Sequence, residues 1–178
     1  MPTWNYSESW MWYVAWNAIA FGASFIPHSF VEWLAHRFVL HSKAIVSFAY
    51  EEHDRRHHVE YGPDHTFHVQ DGKPAYGTDF TLRDFALFLA VMLPFWVGVE
   101  FAMKRPVVIG GLVSVLLWLN MFNYLHRLYH EPKGGWIERT WYFGYLKRHH
   151  RGHHAVPSRN LNVSFFPIAD WMLRTLRR

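Results

Sequence analysis

Histidines fall in four short motifs along this chain of 178 residues, which has 14 histidines and no cysteine. The motifs read HRFVLH, HDRRHH, HRLYH and HHRGHH. Their histidines are His36, His41, His53, His57, His58, His126, His130, His149, His150, His153 and His154. Neutral imidazole is a common ligand of zinc, copper and iron. Because the chain has no thiol, a metal site would have to be built from imidazole or carboxylate groups.

The spacing within the motifs allows several imidazoles to meet. Residues four apart lie on one face of an α-helix, so each such pair is expected to share a centre. The pairs are His53/His57, His126/His130, His149/His153 and His150/His154. Adjacent histidines diverge by roughly 100° on a helix, so one can serve one metal and its neighbour a second. About ten imidazoles are too many for one ion and enough for two.

Five histidines do not fit this spacing. His36 and His41 are five apart and diverge more on an α-helix, so we expect the helix to end or bend between them. His65 and His68 lie in a turn-rich segment, Val59–Thr78, and are expected to be solvated or to support ligands. His28 follows Pro27 and is expected to mark a helix kink.

Three long apolar segments separate the motifs, at Trp10–Leu34, Phe80–Met103 and Val107–Leu125. Each approaches the length of about 20 residues that a helix needs to cross a bilayer. The connection between the last two is so short that they should form a hairpin. The segment Ala44–Tyr50 leaves a fourth span or a re-entrant segment open. The alternative, a soluble protein with three buried helices, is hard to build from so short a chain.

The predicted fold is therefore an all-α, integral-membrane helical bundle with about three to four transmembrane helices and a cytoplasmic histidine-rich cap. Residues 1–178 form one membrane-embedded domain. The aromatic residues Trp4, Trp10, Trp12 and Trp16 suit a membrane interface. A helix is expected from about Trp136 to His150, and a short amphipathic helix near Ile168–Leu176.

The basic residues set the expected orientation of the spans. Most fall on the side that carries the histidine motifs, and an excess of Lys and Arg marks the cytoplasmic side. They are Lys43, Arg55, Arg56, Arg127, Lys147, Arg148, Arg151, Arg159, Arg174, Arg177 and Arg178. The C-terminus should then face the cytoplasm. The net charge of +4 suits anionic lipid headgroups, and no nucleic-acid partner is expected.

The four motifs, in this order between apolar segments, resemble those of the fatty acid hydroxylase/sterol desaturase superfamily. Its pattern reads HX3–4H, HX2–3HH, HX3H and HX2–3HH. The tail NLNVSFFPIADWMLRTL also resembles the superfamily's N-x-G-V-(S/T)…W-D ending, with Asn162 where glycine is common. The resemblance extends over most of the chain from about residue 30.

The resemblance implies a set of metal ligands: His36, His41, His53, His57, His58, His126, His130, His150, His153 and His154. His149 is the alternative to His150, which is favoured because HX2HH is the usual form in the fatty-acid 2-hydroxylase branch. In the second motif Asp54 stands where an HX2HH spacing would need histidine, so His53 is the candidate. Glu32, Asp54 and Glu131 each neighbour a ligand. Each could orient its imidazole by accepting the second ring N–H, or be a solvated charge.

The resemblance also implies a membrane di-iron oxygenase that uses O2 as co-substrate, with zinc able to replace iron in purified protein. The substrate would be a lipid from the bilayer, such as a fatty acyl chain or sterol, hydroxylated or desaturated at an unactivated C–H bond. Electrons would come from a separate ferredoxin- or cytochrome b5-like donor with its reductase. Four aromatic residues could line a substrate pocket or face lipid: Trp33, Phe38, Phe122 and Tyr124.

Two other functions remain open. A carotenoid-ring hydroxylase has similar histidine motifs and is also small. A non-catalytic membrane protein that binds or transports metal would need ionisable residues through the spans. The main ionisable residue within the apolar segments is Glu100.

Overall fold

The computed structural model describes residues 9–62 and 79–177, and the described residues form helices and connecting turns without strands. The α-helices are α1 (Ser9–Ala23), α2 (Phe25–Ala35), α3 (Ser47–Tyr50), α4 (His58–Tyr61), α5 (Leu82–Met103), α6 (Val108–His130), α7 (Trp141–Ala155) and α8 (Ile168–Met172). Two π-helices cover His36–Leu40 and Glu51–His57, and a 3₁₀ turn covers Ile137–Arg139. Trp4, His65, His68 and most of the predicted turn-rich segment lie outside the described residues.

Three of these helices, counting Trp10–Leu40 as one, are long and apolar enough to cross a membrane. The others are Leu82–Met103 and Val108–His130. The three predicted segments are thus confirmed as long apolar helices, and the first and third extend further than expected. The predicted possibility of a fourth span at Ala44–Tyr50 is wrong, because that segment contains only the four-residue helix α3.

The chain divides into two compact units. The first comprises residues 1–28 and 80–120, and here α6 packs closely on α1 and α5. The Gly110 N–H donates to Asn17 Oδ1 at 2.7 Å, and a Cβ at Gly110 would lie 1.9 Å from the Asn17 carbonyl oxygen. A Cβ at Gly111 would likewise collide with the Trp96 indole. Two adjacent glycines therefore let the three helices meet.

Glu100 closes the turn between α5 and α6. Its carboxylate accepts hydrogen bonds from the backbone N–H groups of Val107 and Val108, at 2.9 and 3.0 Å. These N–H groups lie at the start of α6, where a helix has no backbone acceptors of its own. Negative charge at a helix N-terminus is also favourable. Glu100 therefore acts as a helix cap.

His28 lies close to a helix break, although the break comes earlier than predicted. α1 ends at Ala23. Pro27 comes four residues later, and a proline ring obstructs the carbonyl of the residue four positions before it. His28 itself is buried and its Nε2 lies 2.9 Å from Ser114 Oγ. The Ser114 hydroxyl donates to the Gly111 carbonyl, so it accepts from His28 Nε2–H.

The second unit comprises residues 29–79 and 121–178, and it contains all four histidine motifs. The segment that follows α7, residues 156–177, is called the tail here, and buried hydrogen bonds hold it within this unit. Asp170 accepts from the N–H groups of Leu161 and Asn162 and from the Thr175 hydroxyl. Glu32 accepts from the N–H groups of Val163 and Ser164. Two buried carboxylates thus hold the segment 161–164 by its backbone.

Asn160 fastens the same tail to α7. Its side-chain amide donates to the His149 carbonyl at 3.0 Å and lies directly over Gly152, where a Cβ would come within 2.4 Å of Asn160 Nδ2. Asn160 has a φ of 51°, a left-handed conformation that asparagine tolerates better than most residues. The glycine inside HHRGHH is therefore a packing requirement of the tail.

Candidate metal centre

The two π-helices place histidines five residues apart on the same side. The His41 N–H donates to the His36 carbonyl at 3.0 Å, and the His58 N–H donates to the His53 carbonyl. These are the i→i−5 bonds of a π-helix, which is rare and occurs often at functional sites. The predicted divergence of His36 and His41 is therefore wrong, because the wider turn realigns them.

The histidines form two sites within the second unit. Site 1 comprises His36, His41, His53 and His153, and site 2 comprises His57, His126, His130, His150 and His154. In each site one ligand nitrogen from every residue lies within 4.8 Å of all the others. The buried histidine sites could each hold a metal ion, as the sequence predicted for two ions.

His58 completes site 1. Its Nε2 lies 3.3 Å from Nε2 of His53 and 3.2 Å from Nε2 of His153. On its other side its ring stacks on that of His154, with the centroids 4.2 Å apart. With His58 beside site 1, all ten residues predicted as ligands lie in or next to one of the two sites.

Adjacent histidines divide between the sites as the sequence predicted. His57 belongs to site 2 and His58 to site 1, while His153 belongs to site 1 and His154 to site 2. The α-helical i, i+4 pairs His126/His130 and His150/His154 each share site 2.

The predicted shared centre for His53 and His57 is wrong. His53 faces site 1 and His57 faces site 2. The pair lies within the second π-helix, where the partner on the same side is five residues away rather than four. His58 therefore takes the place beside His53 that the sequence assigned to His57.

Hydrogen bonds fix which nitrogen of two site 1 imidazoles carries the proton. His41 Nδ1 lies 2.6 Å from Asp54 Oδ1, and His153 Nδ1 lies 3.0 Å from the Arg159 carbonyl oxygen. Both partners can only accept, so each Nδ1 is the protonated nitrogen. Each Nε2 then presents a lone pair when the ring is neutral.

Burial keeps these rings neutral. It lowers the pKa of His153 to about 3 and lowers the pKa of His41, although the hydrogen bond that His41 donates to Asp54 offsets part of the effect on His41. Burial also lowers the pKa values of His53, His57 and His58. Neutral imidazole is the protonation state that binds metal.

The nitrogen positions satisfy the geometric requirement for a metal ion. Nε2 of His41 and Nε2 of His153 are 3.1 Å apart, and both point lone pairs into site 1. Two such atoms repel unless a cation lies between them. Ligands about 2.0–2.1 Å from a common ion are themselves about 3 Å apart. In site 2, Nε2 of His150 lies 2.9 Å from Nε2 of His130 and 3.2 Å from Nε2 of His154.

Some ring nitrogens of the two sites are buried without a hydrogen-bond partner. Among the described residues these include Nε2 of His36 in site 1 and both ring nitrogens of His57 in site 2. A buried polar atom normally has a partner, and an unsatisfied one costs about 1–3 kcal/mol. A bound metal ion would satisfy the nitrogens that face the site centres.

His149 lies outside both sites, so the predicted shared centre for His149 and His153 is wrong. Its Nε2 lies 3.0 Å from Asp170 Oδ2, and both side chains are buried. Burial raises the pKa of Asp170, but hydrogen bonds from His149, Thr175 and the Asn162 backbone outweigh it and hold that pKa below its ordinary value. Of the two alternatives in the fourth motif, His150 is the one that reaches a metal site.

The three carboxylates predicted beside ligands have different partners. Asp54 orients an imidazole, but that of His41 rather than its neighbour His53. Glu32 instead caps the tail, because the backbone N–H groups of residues 163 and 164 reach its carboxylate. Glu131 accepts from the Tyr61 hydroxyl at 3.0 Å, and the Tyr61 ring packs on His130 with centroids 4.0 Å apart.

Sequence reasoning gave no role in the sites to Tyr61 or to the Arg159 carbonyl. It noted the tail motif but not its function. The asparagines and Asp170 of NLNVSFFPIAD were a usable signal, because polar residues that recur within an apolar segment tend to bond buried backbone.

The predicted pocket residues lie in different environments. Phe122 is buried, with its ring centroid 5.2 Å from that of His126 in site 2. The Trp33 indole N–H donates to Thr175 Oγ1 at 2.9 Å. Phe38 and Tyr124 are exposed.

No protein-family model matches the chain, and neither a curated protein nor a solved structure matches it.

Proposed function

We propose that the protein is an O2-dependent membrane di-iron oxygenase that hydroxylates or desaturates an unactivated C–H bond of a lipid. The observation that carries the proposal is the pair of opposed Nε2 lone pairs of His41 and His153, 3.1 Å apart, within two mostly buried groups of imidazoles. Such an arrangement is costly without a cation and well suited to two.

Iron is the proposed metal because the motifs resemble those of histidine-rich di-iron oxygenases and because imidazole is a suitable ligand for it. Zinc accepts the same ligands, so zinc in a purified sample would not contradict iron as the working metal. When bound, the two irons would supply the redox chemistry that activates O2.

The protein's own contribution is to hold and shield the sites. The two π-helices, α6 and α7 supply imidazoles from separate parts of the chain and hold them at fixed separations. Most of the ring nitrogens are buried, so bulk water is kept from the metal positions. Exclusion of water protects a strong oxidant from side reactions.

An apolar substrate suits the surroundings of site 2. The buried Phe122 ring lies against His126, and Phe122 belongs to a helix long and apolar enough to cross a membrane. A fatty acyl chain or sterol could therefore approach from the bilayer side. The electron donor would be a separate ferredoxin- or cytochrome b5-like protein with its reductase.

The proposed orientation places the histidine sites and the C-terminus in the cytoplasm. The chain has no cysteine, so single cysteines can be introduced without background. We expect Ser158→Cys, on the exposed tail, to react with an impermeant maleimide only after the cells are opened. Arg105→Cys, at the exposed α5–α6 turn, should react in intact cells. The reverse pattern would overturn the orientation.

A metal transporter fits less well. Transport needs ionisable groups along a path, whereas Glu100 is engaged with the first turn of α6 through two backbone hydrogen bonds.

The test combines metal content with lipid analysis. Full-length protein from iron-replete cells should contain about two metal ions per chain, and cells that express it should accumulate an O2-dependent oxidised lipid. His57→Ala and His153→Ala should each lower metal content and abolish the product, whereas Glu51→Gln, at an exposed position without a role in either site, should preserve both.

The identity of the product distinguishes the remaining substrates. A hydroxylated or desaturated acyl chain or sterol supports the proposal, and an oxidised carotenoid ring would support the carotenoid alternative. Two bound metals without a new lipid product would overturn the oxygenase and favour a metal-binding protein.

A further inference from the structure

Asp54 joins the two π-helices at site 1. It lies in the second π-helix directly after His53, yet its carboxylate oxygen Oδ1 is 2.6 Å from Nδ1 of His41, the residue that follows the first π-helix. The His41 side chain is 8% exposed and that of Asp54 is 26% exposed, so the contact forms at the edge of the buried site.

We infer that Asp54 is the positioning residue of site 1, and that its negative charge strengthens the binding of a divalent metal ion there. The inference rests on the proposed metal centre. The carboxylate accepts a hydrogen bond from the Nδ1–H of His41. It thereby directs the Nε2 lone pair of His41 toward His53, His58 and His153. It therefore acts on the metal through His41 and is not itself a ligand.

The charge of Asp54 distinguishes it from the other acceptor in the site. His153 is oriented by the Arg159 backbone carbonyl, which is neutral and cannot be removed by side-chain substitution. A carboxylate makes the opposite nitrogen of the imidazole a stronger donor to the metal, and it offsets part of the metal's positive charge. Loss of such a partner typically weakens metal binding by about 10–100-fold.

The nearby arginine Arg56 has acidic partners other than Asp54. Arg56, two residues after Asp54, forms ion pairs with Glu52 and Glu60, each at 3.6 Å. Among the described residues, the Asp54 carboxylate accepts a hydrogen bond from the His41 imidazole.

The experiment uses Co²⁺ as a probe, because its visible absorption reports on each coordination site. Full-length protein in detergent, stripped of metal, is titrated with Co²⁺. We expect two equivalents to bind to the original sequence. In Asp54→Asn one equivalent should bind about 10–100-fold more weakly with altered absorption bands, while the other is unchanged. The amide oxygen of asparagine can still accept a hydrogen bond from the Nδ1–H of His41. This variant therefore removes the charge and retains a hydrogen bond.

Three further samples separate a site effect from a folding effect. Asp54→Ala removes the acceptor as well and should weaken the same equivalent at least as much. Glu51→Gln makes the same chemical change on the same π-helix at an exposed residue, and it should bind Co²⁺ like the original. In a His41→Ala background, Asp54→Asn should have no added effect, because its route to the metal is gone. Circular dichroism should show unchanged helix content throughout.

The outcomes separate this inference from the proposed function. If both Asp54 variants bind two equivalents with the original affinity, or if both equivalents weaken equally, Asp54 is not the positioning residue of site 1. If the variants behave as expected but expressing cells form no oxidised lipid, the oxygenase proposal fails and the inference stands. Fewer than two equivalents bound by the original sequence would overturn both.

Discussion

The His149 imidazole and the Asp170 carboxylate form a buried pair, 3.0 Å apart, on the side of α7 away from the metal sites. His150, the next residue, points into site 2, with its Nε2 2.9 Å from that of His130. One turn of helix thus carries a histidine that binds the tail and a histidine placed to bind metal.

Substitution of these two neighbours should have separable effects. His150→Ala is expected to lower the metal content at site 2. His149→Ala should leave about two metals bound but reduce the free energy of unfolding by about 1–3 kcal/mol, because Asp170 loses a buried partner. Metal analysis and thermal unfolding of the two variants would check this. A loss of metal in His149→Ala at unchanged stability would show that His149 is the ligand.

Two glycines of α7 should respond in opposite directions to alanine. At Gly152 a Cβ would lie 2.4 Å from Asn160 Nδ2, so the tail must shift and Gly152→Ala should cost about 1–3 kcal/mol. At Gly144 the nearest atom, Arg148 Nη1, is 3.5 Å away, an ordinary contact. Gly144→Ala should therefore stabilise the helix by up to about 1 kcal/mol. Chemical denaturation of both variants gives the comparison, and equal effects would contradict the tail packing.

Substitution of Glu100 should lower the free energy of unfolding and leave the metal content unchanged. Glu100→Ala leaves the N–H groups of Val107 and Val108 without their acceptor, so we expect a loss of about 0.5–2 kcal/mol. Glu100→Gln retains an acceptor and should cost less. Metal content and lipid product should be unchanged in both. A variant that folds normally but changes metal uptake into cells would support a transport pathway instead.

Metal-free protein should lose stability as the pH falls from about 7 to about 4. Burial lowers the pKa of His153 to about 3 and lowers the pKa values of His53 and His57, so the folded state keeps these rings neutral. The unfolded chain takes up the same protons near pH 6.5, at about the ordinary value for histidine. In this window the unfolded state binds more protons than the folded state, so the free energy of unfolding decreases as the pH is lowered.

Melting temperatures of stripped protein across this range provide the measurement. The stabilisation should be complete above about pH 6.5 and decline progressively below it. A melting temperature that is constant between pH 7 and pH 4 would show that the histidines are accessible to protons in the folded state.

The sequence carried enough information to predict the helical architecture and the convergence of the histidines. Apolar segments of spanning length are visible in composition, and four motifs with repeated spacing already indicate that ten imidazoles can meet. The use of His57 and His58 for different centres also followed from the angle between adjacent helical residues.

The partner of each histidine was harder to predict. The i, i+4 rule assumes α-helical geometry, and nothing in HRFVL or EEHDRRH signals a π-helix. His53 was therefore paired with His57, and His36 was expected to diverge from His41. The contacts of Asp54 with His41 and of Glu32 with the tail depend on tertiary packing, which local spacing does not encode.

The division of adjacent histidines between the sites restricts how this chain can change length. Residues 57 and 58 serve different sites, and so do residues 153 and 154. A single inserted or deleted residue just before either pair would turn both rings by roughly 100° and remove one ligand from each site at once. Insertions should therefore be tolerated in the connections between the motifs and rejected inside them, because a change of length just before either histidine pair would damage both metal positions together.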